Sequence, residues 1–261
     1  MRLLVTTLVC TAFICSAFPQ HISMEYSGAE LANRDKKHIE LFLRHAAKFY
    51  HQHGMPDTLR IKLNLFDNKE KWDEFIFSKE KRRNNSTLQI RGLFDSKTNV
   101  CHVTLAGTTK SESLSTIRHE LSHALFCKTF DNAMLPWLNE GLSEYFQHCS
   151  VSDKALKHSF DAYERGRLRT MIMLDEARLE DIFNYKYKEF QRHQRTNDQI
   201  SYIASHAIVA FLIEVAPQGC LNRLVRVLKD KNDKDNTLQK IDKTYPGGWE
   251  QLKKDFTDYY R

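Results

Sequence analysis

The chain has 261 residues, 41% of them hydrophobic and 28% charged, with a formal net charge of +6 and a pI near 8.9. A chain of this length can bury a full core, and the composition is that of an ordinary globular protein, which excludes disordered, collagen-like and low-complexity classes. The positive balance is too mild to predict a nucleic-acid partner: the densest basic patch, Lys79, Lys81, Arg82 and Arg83, has no interleaved aromatic residues and reads as a solvated loop.

Met1 and Arg2 precede an apolar run from Leu3 to Ile14, and Cys15, Ser16 and Ala17 supply the small residues that a signal peptidase reads. Residues 1–17 are therefore expected to be a secretory signal peptide, and the protein to be extracellular, or periplasmic in a Gram-negative host. A membrane-spanning helix needs about 20 apolar residues. This run is shorter and no later stretch reaches that length, so stable membrane insertion is not expected. Whether a prosegment between Phe18 and about Ser27 is also removed stays open.

From Ala29 to Gln52, Leu31, Ile39, Leu41, Phe42, Ala46, Phe49 and Tyr50 recur at helical intervals and Gly54 and Pro56 stop the pattern, so an amphipathic helix is expected to open the fold. Thr58 to Phe66 alternates Leu59, Ile61, Leu63 and Leu65 with polar residues, the period of a strand buried on one face. A short helix follows around Lys71 to Phe77. Leu88 to Leu93 and Val100 to Leu105 are expected to pair as a hairpin across the polar turn at Asp95 to Asn99. Near Lys81 to Arg83, Asn84 and Asn85 each begin a glycosylation sequon.

Thr109 and Glu112 have the spacing of a capping box, and the helix they start runs to about Lys128 with Leu114, Ile117, Leu121 and Leu125 on its buried side. Asp131 to Leu135 is a connector, and Pro136 begins another helix. Further helices are expected over Lys154 to Arg167, Leu179 to Phe183, Ile200 to Val215, Leu221 to Lys229 and Trp249 to Tyr260. Pro217 to Gly219 and Pro246 to Gly248 punctuate them, and Lys229 to Asp235 reads as a charged loop. The predicted class is α+β: a mixed sheet-and-helix lobe over 18–130, a mainly helical lobe over 131–261, and one catalytic unit from the two.

The chemistry is concentrated in His119, Glu120 and His123, which spell HELSH. Positions four apart on a helix lie on one face about 5–6 Å apart, so both imidazoles reach one ion while Glu120 stands beside it as a general base. A catalytic zinc takes three protein ligands and keeps one position open. Glu140, on the second helix, is the expected third ligand. Glu144 lies one turn further and is expected to orient His119 through its outer ring nitrogen, while Asn139 and Trp137 are expected to shape the helix only.

HELSHALF followed by LPWLNEGLSEYF resembles the gluzincin metallopeptidases, the thermolysin-like group, and within it the peptidase MA-like proteins. RGLFDSKTNVCHVTLAG, YIASHAIVAFLIEVAPQG and TYPGGWEQLKKDFTDYYR extend the likeness over Thr58 to Arg261. The resemblance implies a zincin-like fold with zinc between the lobes, a peptide or protein substrate, and a strand, Asn99 to Leu105, along the cleft. It also implies Tyr202 as the hydroxyl that meets the developing oxyanion, with Tyr145 and His206 as rivals. Two departures stand out. The link between His123 and Glu140 is shorter than in the thermolysin and aminopeptidase branches, and the Gly-x-Met-Glu-Asn element that grips a free amino terminus is missing. The expected activity is therefore that of a secreted zinc endopeptidase; the alternative is a secreted zinc-site protein that binds a peptide without cleaving it.

Loss of the signal segment removes Cys10 and Cys15 and leaves Cys101, Cys127, Cys149 and Cys220. An even number of cysteines in an exported chain predicts one or two disulfides. Three pairings exist, and Cys127 with Cys149 is favoured because it would tie together the two helices that carry the ligands; the equal alternative is that the thiols stay free in the core. No Cys-x-x-Cys zinc cluster is present.

Overall fold

The computed structural model describes residues 21–80, 90–130, 135–173, 178–190 and 199–261. The expected signal segment with Cys10 and Cys15, the loop residues Lys81, Arg82, Arg83, Asn84 and Asn85, and connector residues 131–134 lie outside them. The fold is α+β, a four-stranded mixed sheet with helices packed against it and a largely helical second half. No helix among the described residues is long and apolar enough to cross a membrane.

A strand, not a helix, comes first. β1 (His21–Gly28) alternates half-buried Ile22, Met24 and Tyr26 with exposed Ser23, Glu25 and Ser27, and pairs in parallel with β2 (Thr58–Phe66) from His21 opposite Thr58 to Gly28 opposite Leu65. Parallel neighbours need a crossover, and the amphipathic helix α1 (Asn33–His51) supplies it, burying Ile39, Phe42, Leu43, Ala46 and Tyr50. The possible prosegment thus overlaps an integral edge strand.

After α2 (Lys69–Glu80), β3 (Gly92–Asp95) and β4 (Val100–Thr104) form the expected hairpin, and β4 also pairs in parallel with β2. The strand order is β1-β2-β4-β3. The cleft-lining role expected of Asn99 to Leu105 is therefore corrected. β4 has both backbone edges occupied by neighbours, and the strand left at that side of the sheet is β3.

α3 (Lys110–Thr129) begins at the Thr109–Glu112 capping box, which is formed in both directions. Ile117, Leu121 and Leu125 are fully buried under it. α4 (Pro136–Gln147) starts with proline at its first turn, where a missing N–H costs nothing, and packs on α3. The region expected as a helix from Lys154 is instead a small antiparallel hairpin, β5 (Cys149–Val151) with β6 (Leu156–His158), before α5 (Ala162–Met173). Ser152, which accepts from the Ala155 N–H and donates to the Ala155 carbonyl, closes that turn locally.

The remaining elements are α6 (Leu179–Asn184), α7 (Ile200–Glu214), α8 (Cys220–Lys229), α9 (Thr237–Thr244) and α10 (Gly248–Tyr260). The sequence pattern did not reveal α9, which is held by an Asn236–Gln239 capping box. α7 is buried nearly all round, as befits a helix without a polar face, and lies among α4, α5, α6 and α8. One continuous core runs from Ile39 and Phe42 through Ile117, Leu121 and Trp137 to Phe211 and Phe256.

No disulfide is formed among the described residues. The favoured Cys127–Cys149 pair is corrected by the antiparallel packing of α3 and α4. Ser115 and Arg118 both donate to the Gln147 carbonyl, the latter at 2.7 Å, so Cys149 lies near the start of α3. Cys127 is nine residues beyond Arg118, about 13 Å along the axis at 1.5 Å per residue, and a bridge requires Cα atoms within about 7 Å. The Cys101 and Cys149 thiols instead donate to the Glu120 and Tyr145 carbonyls, both at 3.3 Å.

Candidate metal centre

Two packed helices build the centre. α3 carries His119, Glu120 and His123; α4 carries Glu140, and buried Trp137, Leu138 and Leu142 fix its rotation. Gly141 lets α4 lie directly on α7: a Cβ there would come within 2.5 Å of the Ser205 carbonyl oxygen and 2.6 Å of Val209 Cγ2. The neighbouring Glu140 is thereby pressed toward the histidines.

His119 Nε2 and His123 Nε2 are 3.1 Å apart, and Glu140 Oε2 stands 3.7 Å from the first and 3.5 Å from the second. Atoms bound to one tetrahedral zinc at about 2.0–2.1 Å lie about 3.3 Å from each other, so the three donors fit such an ion. Electrostatics agree. Burial works against charge on His119, yet its contact with Glu140 and the charges of Glu144 and Glu120 lift it to about 9. Burial also opposes charge on Glu140, but His123 and His119 hold its carboxyl below the ordinary value. Glu140, held in its charged form against burial, gives the triad an anionic donor suited to a cation.

The outer ring nitrogens are held from α4. His123 Nδ1 lies 2.9 Å from Asn139 Oδ1 and 3.0 Å from Ser143 Oγ. An amide oxygen only accepts, so His123 carries its proton on Nδ1 and turns the Nε2 lone pair to the centre. Asn139, expected only to shape the helix, is thus a positioning residue, and Ser143 assists it. Glu144 Oε1 is 3.5 Å from His119 Nδ1, on the side anticipated.

Glu120 is 5% exposed, and its Oε2 has no hydrogen-bond partner. Burial raises its carboxyl above the ordinary value, countered by His119 and His123 and by a hydrogen bond from the Phe94 backbone N–H. β3 therefore runs against the carboxylate. Gly92 makes this possible, since a Cβ there would meet Glu120 Oε1 at 2.4 Å; no local pattern singles this glycine out in the sequence.

Tyr202 packs its ring on Phe190, and burial followed by the charges of Glu140 and Glu144 raises its hydroxyl far above the usual range, which keeps it a neutral donor near the centre. Its two rivals are engaged elsewhere. Tyr145 donates to Glu214 at 3.0 Å, and His206 contacts His158 at 2.7 Å. A second tyrosine, missed in the sequence, does reach the site: Tyr187 is 41% exposed overall, but its hydroxyl accepts from Asn139 Nδ2 at 2.7 Å, and the partial burial of that end with the charge of Glu140 raises it above the ordinary value.

This is an α+β protein with a partly buried two-histidine, one-glutamate centre suited to a metal ion, and a buried acidic side chain beside it. No protein-family model and no curated protein matches the chain.

Proposed function

We propose that the chain is an exported zinc-dependent peptidase of the gluzincin type, acting within peptide or protein substrates. The observation that carries this reading is Glu120: a buried carboxylate with one oxygen unpaired, set between the donor triad and β3. A site that only bound metal would need the donors and not this group. Zinc held by His119, His123 and Glu140 supplies Lewis acidity, polarising a carbonyl and acidifying water.

The chain's own residues do the remaining work. Glu120, whose proton affinity is raised by burial, takes the proton of the attacking water and delivers it to the leaving amine. An extended substrate lies against β3, where main-chain hydrogen bonding to a sheet edge aligns the scissile bond beside Glu120. The hydroxyls of Tyr202 and Tyr187, kept protonated by burial and neighbouring carboxylates, donate to the oxyanion. Asn139 and Ser143 hold the His123 ring in its tautomer.

The test is zinc content together with cleavage of a mixed peptide library, for wild type and Glu120→Gln. Zinc in both with cleavage only in wild type is the expected result. Zinc in both without cleavage in either would favour a peptide-binding protein, and folded protein whose zinc content is untouched by His123→Ala would sink the ligand assignment.

A further inference from the structure

Beyond the candidate catalytic centre, a second group of imidazoles and carboxylates fills the space between the end of α4, the start of α5 and the middle of α7. His148 Nδ1 is 2.8 Å from Glu164 Oε2, and His206 Nδ1 is 3.4 Å from Glu164 Oε1. His206 is fully buried and Glu164 is 8% exposed. One ligand atom from each of the three lies within 4.8 Å of the other two.

Proton placement in the surrounding chain of contacts leaves a gap at its centre. Glu214 Oε1, which already accepts from Tyr145, lies 2.9 Å from His158 Nδ1, so that nitrogen is the donor. His158 Nε2 is then the acceptor in its 2.7 Å contact with His206 Nε2, and His206 carries its proton there. The remaining nitrogen, His206 Nδ1, offers a lone pair to a carboxylate oxygen. Two acceptors, His206 Nδ1 and Glu164 Oε1, face each other at 3.4 Å, and the fully buried His206 Nδ1 has no hydrogen-bond partner. A neutral imidazole and an ionised carboxylate are the forms that ligate metals, and an unsatisfied buried pair of this kind calls for an ion between them.

We propose that His148 Nδ1, the Glu164 carboxylate and His206 Nδ1 form a second site for a divalent metal ion of the zinc class, separate from the His119, His123 and Glu140 centre. Two imidazoles and one carboxylate suit zinc and its neighbours better than calcium or magnesium, which take oxygen donors. The outer nitrogen of His206 is anchored as in metal-bound histidines. His206 Nε2 is anchored through His158 to Glu214, and His148 Nε2 faces Glu144 Oε2 at 3.9 Å and the Gln147 amide at 3.3 Å, whose oxygen accepts once the amide is turned over. The ion has a route in, because His148 lines an open cleft of about 540 Å³ that also contains Arg118, Gln147 and Asp161. Glu144 faces both centres, one oxygen toward His119 and the other toward His148.

The test counts metal. The purified protein is stripped with a chelator, reloaded with zinc chloride, freed of excess ion by gel filtration and assayed for zinc per chain. Wild type is expected to hold two, and Glu164→Gln, His206→Gln and His123→Ala one each. A single zinc in wild type that survives Glu164→Gln overturns the proposal, as do two that both survive it. A single zinc that survives His123→Ala and is lost from Glu164→Gln upholds the second site and overturns the catalytic ligand set instead. If His206→Gln fails to fold, cobalt replaces zinc as the probe in His123→Ala. Visible absorption that disappears when Glu164→Gln is added supports the site, and no absorption in His123→Ala overturns it.

Discussion

The centre at His119, His123 and Glu140 and the cluster at His148, Glu164 and His206 share donor types but differ in construction. The first is assembled from two adjacent helices, with its histidines one turn apart on α3, and its flank is a strand whose Gly92 leaves room for the unpaired Glu120. The second draws one residue from each of three elements and is walled by rings: Phe160 packs on His206 with centroids 4.2 Å apart, and Tyr145 stacks on His158 at 4.4 Å. Its neighbouring carboxylate, Glu144, is shared with the first centre, and the strand beside it, β6, contributes His158 as a partner of His206. Donor chemistry alone therefore does not carry the proposed hydrolase reading; the spare carboxylate of Glu120 and the β3 edge support it. The second cluster has the build of a centre that fixes α4, α5 and α7 to one another.

The largest effect expected from this contrast comes from Glu120→Gln. It should lower cleavage by about 10²–10⁴-fold, the usual loss on removing a general base, and leave the zinc count of both centres unchanged. Steady-state kinetics on a fluorogenic peptide together with metal analysis measure both quantities. Zinc lost from the variant would break the comparison, because Glu120 would then be a ligand. Next in size is Asn139→Ala, which removes the acceptor for His123 Nδ1–H and should weaken zinc binding at the first centre by about 10–100-fold. Ser143, 3.0 Å from the same nitrogen, keeps the loss toward the lower end. Competition against a chromophoric chelator reads it, and an unchanged affinity would return Asn139 to a purely helical role.

How much of this was legible in the sequence follows from how local each feature is. The HELSH spacing, the capping box at Thr109 and the alternation of β2 each express one period on one element, and the expected helix and strand are there. Glu140 was within reach because it follows at loop distance. Asn139 was not, because its contact with His123 depends on the angle at which α4 crosses α3. The edge role of β3 was hidden too: strand order is decided by long-range pairing, so β4, the better-patterned strand, ended in the interior. β1 alternates Ile22, Met24 and Tyr26 over eight residues, but it lies beside the expected signal segment, where the same stretch reads as a possible prosegment. His148, Glu164 and His206 lie far apart in the chain with no common period, and nothing short of the folded arrangement brings them together.

The two centres are joined mechanically through Gly141, next to Glu140 on one helix and pressed against Ser205, next to His206, on the other. Gly141→Ala places a methyl group into backbone and a valine side chain, overpacking that typically costs about 1–3 kcal/mol. The clash with a carbonyl argues for the upper end, about 3 kcal/mol. Urea unfolding measures it, and both zinc sites should weaken together. Loss from one site alone would show that α4 and α7 move independently.

The smallest effect separates the acid response of the clusters from that of the rest of the fold. His53, 8% exposed, packs against Phe49 and Phe130 with ring centroids 4.9 and 6.0 Å away. Burial, assisted by the charge of Lys229, lowers its pKa to about 4. The unfolded chain thus binds a proton between about 6.5 and 4 that the folded chain does not, so stability falls as pH drops through that window and is complete above it. Between about pH 7.5 and 5.5 this single group should remove about 1 kcal/mol. Urea midpoints of metal-free protein at the two pH values give the difference directly. His53→Phe keeps an aromatic in the same apolar pocket and has nothing to titrate, so its acid-side loss should shrink by that amount. If the loss is undiminished, the acid sensitivity belongs to the buried carboxylate and imidazole clusters.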